Sequence, residues 1–199
     1  SLGADVTDDA QVAAAVDAAV ERLGRLDAVV ANAGVVPPWS TVDELDLEAL
    51  DRTLAVNVRG VAVTMKHVAR ALRGHGGAIV AMASLNAWHA APAQASYTAS
   101  KHAVLGLVRA AALDLGRHGI RVNAIGPGPV ATEALMGRLA HRASTGGLTV
   151  EEAVAAAGRG NALGRMVTED EVACTALFLA SDLASGITGA FVPVDGCVR

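Results

Sequence analysis

One tyrosine occurs in the 199 residues, and one of only two lysines follows it by four positions. Tyr97 and Lys101 lie on a stretch that runs on from Pro92 without a helix breaker through Ala103, Val104, Leu107, Ala110, Ala111 and Leu113. That pattern puts the two side chains one turn apart on one helix face. A free phenol titrates at about 10, and an ammonium close by favours the phenolate and lowers that value, which makes Tyr97 a candidate general acid or base. Ser84 lies thirteen positions before Tyr97, where a strand ends, and its hydroxyl could hold a carbonyl or alcohol oxygen beside the phenol. Proton transfer to a carbon-bound oxygen, coupled to a supply of hydride, suits this set. An ordinary exposed helix pair is the plain alternative, and the scarcity of both residue types weakens it.

The elements that must position these groups alternate strand and helix. Leu26–Ala31 and Ala78–Ala83 are short apolar runs of the kind buried on both faces of a parallel sheet; Ile120–Ile125 and Ala190–Val194 complete the set. Ser1–Val6 reads as the tail of a strand, followed by a helix that Thr7 or Asp8 caps, that carries Val12, Val16, Val20 and Leu23 as its stripe, and that stops at Gly24. A long helix is expected from Asp46 to Gly74, its apolar face interrupted by Asn57, which is either a satisfied core amide or a functional one. Gly34 follows a strand where open α/β sheets bind ligands, and is otherwise a turn glycine. Gly126-Pro127-Gly128-Pro129 breaks the chain where bare backbone could approach a ligand, or forms a plain turn. Thr149 with Glu152, and Thr168 with Glu171, have capping-box spacing. The glycine-interrupted helical patches of residues 131–166 suggest a substrate lid within a single domain spanning 1–199. Leu85, Trp88, His89, Met136 and Leu139 are candidates for an apolar pocket, with core packing an equal reading for each.

With 52% hydrophobic and 18% charged residues the chain belongs among globular proteins able to bury a core. No apolar run is long enough to cross a bilayer and no signal peptide is evident, so a cytoplasmic location is expected. Cys174 and Cys197 have neither paired spacing nor nearby histidines, which argues against a disulfide framework and a metal site. The net charge of −4, with dispersed arginines, favours small-molecule partners over nucleic acid or membrane.

Ser84 with Tyr97-Thr98-Ala99-Ser100-Lys101 resembles the signature of the short-chain dehydrogenase/reductases, single-domain Rossmann oxidoreductases. Asp5-Val6, Ala31-Asn32-Ala33-Gly34, Val56-Asn57-Val58, Arg121 to Gly128, Thr132, Ile187-Thr188-Gly189 and Val194-Asp195-Gly196 fall in that family's order. The resemblance implies an α/β, Rossmann-like doubly wound parallel sheet and an NAD- or NADP-dependent enzyme interconverting a secondary alcohol and a ketone. It implies that Asn57, Ser84, Tyr97 and Lys101 are catalytic: Tyr97 exchanges the proton, Ser84 holds the substrate oxygen, Lys101 tunes the phenol and bonds the nicotinamide ribose, and Asn57 anchors a relay water. Asp5, Val6, Asn32, Ala33, Gly34, Pro127, Gly128, Val130 and Thr132 would join Tyr97 and Lys101 in the cofactor site, and a homotetramer is expected. A 3-oxoacyl-thioester reductase is one subclass that fits; small-alcohol, sugar and steroid dehydrogenases fit comparably.

Against that pattern, the sequence as written lacks the family's first two strands, most of the third, and the glycine-rich turn whose N–H groups hold the pyrophosphate. The expectation is a segment lying outside this sequence, with a short non-catalytic relative acting as a binding or assembly subunit as the alternative.

Overall fold

In the computed structural model, which describes residues 1–198, four parallel strands form one sheet in the order β1-β2-β3-β4. These are β1 (Ala28–Ala31), β2 (Gly77–Met82), β3 (Ile120–Pro127) and β4 (Phe191–Val194). Helices α1 (Asp9–Leu23), α2 (Leu47–Leu54), α3 (Gly60–Leu72), α4 (Ala95–Leu115), α5 (Glu133–Ser144), α6 (Val150–Arg159) and α7 (Glu169–Ala180) connect and cover them. On one face Ile79, Val122 and Ala124 pack with Val68 and Leu72 of α3 and Val104 and Val108 of α4. On the other, Val80 and Ile125 meet Ala176 and Leu179 of α7. Helices on both faces of a parallel sheet make this a doubly wound, Rossmann-like α/β fold, and explain why the central strands are continuously apolar.

Parallel pairing sets every carboxyl end on one edge of the sheet. Ala31, Met82, Pro127 and Val194 therefore lead into neighbouring loops, which carry Asn32, Ser84, Val130 and Asp195.

Several elements differ from expectation for local reasons. β1 is shorter than Leu26–Ala31 and pairs only with β2, so Ala31 alone is buried and Val30 is 43% exposed. Residues 1–5 pair with no strand; instead the Asp5 carboxylate accepts from the Thr7 N–H and hydroxyl. Asp8, not Thr7, caps α1, and Leu23 at its end is exposed. The helix expected from Asp46 opens into a π turn at Ala55–Arg59, which separates α2 from α3. Gly60 follows it because Val6 packs there: a Cβ on residue 60 would meet the Val6 side chain at 2.8 Å.

β3 runs two residues beyond its apolar core, through Gly126 and Pro127. There it pairs with β4 alone, and proline's missing N–H disrupts no ladder on the β2 side. Gly126 is bare because the Phe191 ring occupies the space of a Cβ. Asn123, buried in β3, donates to the Ile187 carbonyl and accepts from the Ala190 N–H, while Thr188 accepts from the Val122 N–H. The Ile187-Thr188-Gly189 stretch is thus latched to the sheet.

Both capping boxes form as spaced, at Thr149/Glu152 and Thr168/Glu171. Cys174 and Cys197 are free and exposed. No described helix is long and apolar enough to cross a membrane.

Candidate active site

Ser84 ends the segment leaving β2 and caps a short 3-10 turn, its Oγ accepting from the Asn86 N–H at 3.2 Å. Asn86 in turn donates to Gln94, the residue before α4. This ties the serine loop to the start of the helix that carries Tyr97 and Lys101. The Ser84 hydroxyl faces the phenol and favours its ionisation, but burial of the ring outweighs this and holds the Tyr97 pKa above the usual tyrosine value.

Lys101 is 5% exposed, and its Nζ donates to the Met82 carbonyl at 2.8 Å, 5.5 Å from the centre of the Tyr97 ring. Burial pulls its pKa down to about 8. The Lys101 ammonium is directed at a backbone carbonyl, and a second cation, Arg138, favours the phenolate.

Asn57, fully buried inside the π turn, accepts from the Val35 N–H at 2.7 Å and donates to the Val35 carbonyl and to Ser100 Oγ, at 2.9 and 3.1 Å. Both amide hydrogens are engaged, so the side chain pins the loop after β1 to α4. Gly34 lies between the polar groups: a Cβ there would sit 3.4 Å from Asn57 Oδ1 and 3.7 Å from Lys101 Nζ.

The predicted cofactor residues divide into two groups. Val6, Asn32 and Ala33 line a cavity of about 220 Å³ with Val30, Gly60 and Thr64; Asp5 is exposed at its side and Gly34 continues from it toward Lys101. Its lining is of small and mostly apolar residues and lies at the carboxyl edge of a parallel sheet, where such sheets bind ligands. Past β3, Gly128 is bare because a Cβ would press on Asp195 at 2.8 Å, so its reason lies in packing against the β4 loop. Val130 bridges to Val167, and Thr132 caps α5 by accepting from the Leu135 N–H. Of the apolar pocket candidates, Trp88 stacks on Phe191 at 6.3 Å and is 60% exposed, and His89 is exposed; Leu85, Met136 and Leu139 are half-buried.

Three residues that carry no motif meet at α5, and one of them, Arg138, is near enough to the phenol for their charges to interact. Arg138 and Arg142, on one face of α5, stand 5.7 and 5.1 Å from the Trp39 ring. Trp39 is held there because Ser40 pairs with the loop before α4, donating from its N–H to the Ala93 carbonyl. Only the i, i+4 spacing of the two arginines could have been noticed in the sequence.

Residues 2–198 match a family described as enoyl-(acyl carrier protein) reductase. The chain is 44% identical over 194 residues to short-chain dehydrogenase reductase 5 of Arabidopsis thaliana, which covers 96% of this chain and 72% of that protein. The chain belongs to the short-chain dehydrogenase/reductase family. Among solved structures, an NAD⁺-bound xylitol dehydrogenase superposes with a TM-score of 0.91 at 29% identity, covering 97% of this chain and 76% of that one. Carveol dehydrogenase from Mycobacterium avium in complex with NAD gives 0.89 at 34% identity, with 97% and 72% covered. This short-chain dehydrogenase/reductase is an NAD(P)-dependent oxidoreductase acting on CH–OH groups. Its substrates are small molecules.

Proposed function

We propose that Ser84, Tyr97, Lys101 and Asn57 carry the interconversion of a secondary alcohol and a ketone. The observation that carries this reading is the convergence of the Ser84 hydroxyl, the half-buried Tyr97 phenol and the Lys101 ammonium at the carboxyl edge of β2. The nicotinamide, when bound, gives or takes the hydride at the substrate carbon.

Ser84 donates to the substrate oxygen and holds it against the phenol. In reduction Tyr97 gives its phenolic proton to that oxygen; in oxidation it takes the proton back. Burial keeps the phenol protonated at neutral pH, which favours the donor role. Lys101 has two N–H groups left beside its bond to the Met82 carbonyl and can offer one to a ribose hydroxyl. Asn57 holds the Val35 loop in place, and a relay water would have to approach it through an oxygen, since its amide hydrogens are committed.

Val6, Asn32, Ala33 and Gly34 are suited to the adenosine side of the dinucleotide, with Asp5 at the rim. Pro127, Gly128, Val130 and Thr132 lie toward its nicotinamide side. Residues 131–166 act as the substrate lid: α5 and α6 lie between the β3 loop and the strand-like bridge of Val130 to Val167. A homotetramer in the cytoplasm is the expected working form. The substrate subclass includes 3-oxoacyl thioesters, alongside sugars, small alcohols and steroids.

The test is oxidation of NADH and of NADPH against a ketone panel. Tyr97→Phe is expected to lower turnover about a hundred- to ten-thousand-fold while the folded protein still takes up dinucleotide. Turnover untouched by that change removes the proton-transfer role.

A further inference from the structure

Arg138 and Arg142 both lean on the Trp39 ring, on consecutive turns of α5. Two guanidiniums at i, i+4 repel one another, and a buried N–H needs an acceptor. No carboxylate forms an ion pair with either arginine among the described residues. The Arg138 Nε is buried and has no hydrogen-bond partner among them. Yet this side chain stands 5.7 Å from the Trp39 indole and near enough to the catalytic phenol for their charges to interact.

A fork of donors that lacks an anion and lies close to the phenol can recognise an oxyanion in bidentate fashion. We propose that Arg138, backed by Arg142 and aligned by Trp39, is a specificity-determining residue that binds an acidic group of the substrate, a carboxylate or a phosphate ester. This rests on the proposed Tyr97 chemistry, since it places the acidic group on the same molecule as the reacting carbon. It narrows the substrate class to oxo acids or ketose phosphates and their hydroxy counterparts. An anion between the two arginines would relieve their repulsion and supply the acceptor that Nε lacks. Trp39 contributes because its ring face holds a guanidinium flat while leaving the N–H edge free.

The experiment uses the full chain with its dinucleotide. Oxo acids of four to six carbons are each compared with their methyl esters, and a ketose phosphate with the free ketose. The wild-type protein is expected to favour the charged member of at least one pair by tenfold or more in kcat/KM. Arg138→Met should reduce that ratio at least tenfold, chiefly through KM, and Arg138→Lys should restore part of it. The two charged series distinguish carboxylate from phosphate.

Binding is read separately, in a Trp88→Phe background, by quenching of Trp39 fluorescence with the same compounds. Quenching by the charged member only, weakened tenfold by Arg138→Met, supports the assignment. Equal quenching by acid and ester, or a ratio unmoved by Arg138→Met, overturns it. Because this arm needs no turnover, selective binding without hydride transfer sinks the proposed chemistry and leaves the anion site standing. Equal loss on charged and neutral substrates in Arg138→Met would make the arginine a support for the phenol and overturn the assignment too.

Discussion

The Nζ of Lys101 reaches the Met82 carbonyl at 2.8 Å and stands 5.5 Å from the centre of the Tyr97 ring, so the ammonium lies beneath the phenol and is tied to the sheet. They stand four positions apart on α4, and their pKa values move in opposite directions. Burial raises Tyr97 above 10.0, and burial lowers Lys101 to about 8.

A pH profile follows. In the proposed mechanism ketone reduction needs the protonated phenol and a charged lysine. Its rate should stay level from about pH 6 to just below 8 and fall above 8 as Lys101 loses its proton. Alcohol oxidation needs the phenolate and should rise with pH until the loss of the lysine charge opposes it. Steady-state rates in both directions, at saturating dinucleotide, check this; a reduction rate still level at pH 10 contradicts it.

Lys101 also costs stability. Its folded pKa lies below its ordinary value of 10.5, so the folded state resists the charge. That penalty is fully present below about pH 8 and is relieved as pH rises from 8 toward 10.5, where the unfolded chain also loses the proton. Lys101→Met should therefore abolish activity while raising stability at pH 7 by about 1–3 kcal/mol, the lost bond to Met82 offsetting part of the gain. Urea unfolding at pH 7 and pH 10 tests it: the advantage must shrink at the higher pH.

Gly126 and Phe191 compete for one space, because a Cβ on residue 126 would enter the ring. Gly126→Ala should destabilise by about 1–3 kcal/mol through overpacking. Adding Phe191→Leu should recover much of this, a coupling that a double-mutant thermal-unfolding cycle measures. Independent, additive effects would show that the ring is not the obstacle.

Asn57 makes three hydrogen bonds at zero exposure, two of them to Val35. Asn57→Asp can still accept from the Val35 N–H but leaves the Val35 carbonyl and Ser100 without a donor. A loss of about 2–4 kcal/mol is expected, with faster amide exchange at Val35. Unchanged exchange there would mean that the loop is held by something else.

The proposed reactive trio was legible in the linear order because its logic is local. Tyr97 and Lys101 share a helix face by spacing, and Ser84 follows an apolar run of strand length. Capping boxes are local too, and both formed where their residues stand. β1 was read too long and too buried, since an apolar run does not say how many neighbours a strand will have.

From its own residue order the chain determined the strand–helix alternation, the parallel sheet and the tyrosine–lysine–serine set, all of which depend on periodicity or short spacing. Tertiary structure alone decided the π turn that brings Asn57 to Val35, the placing of Arg138 against Trp39, and the direction in which Tyr97 titrates. Each of these turns on groups tens of residues apart and on how far water is excluded between them, and neither quantity is written in a one-dimensional pattern.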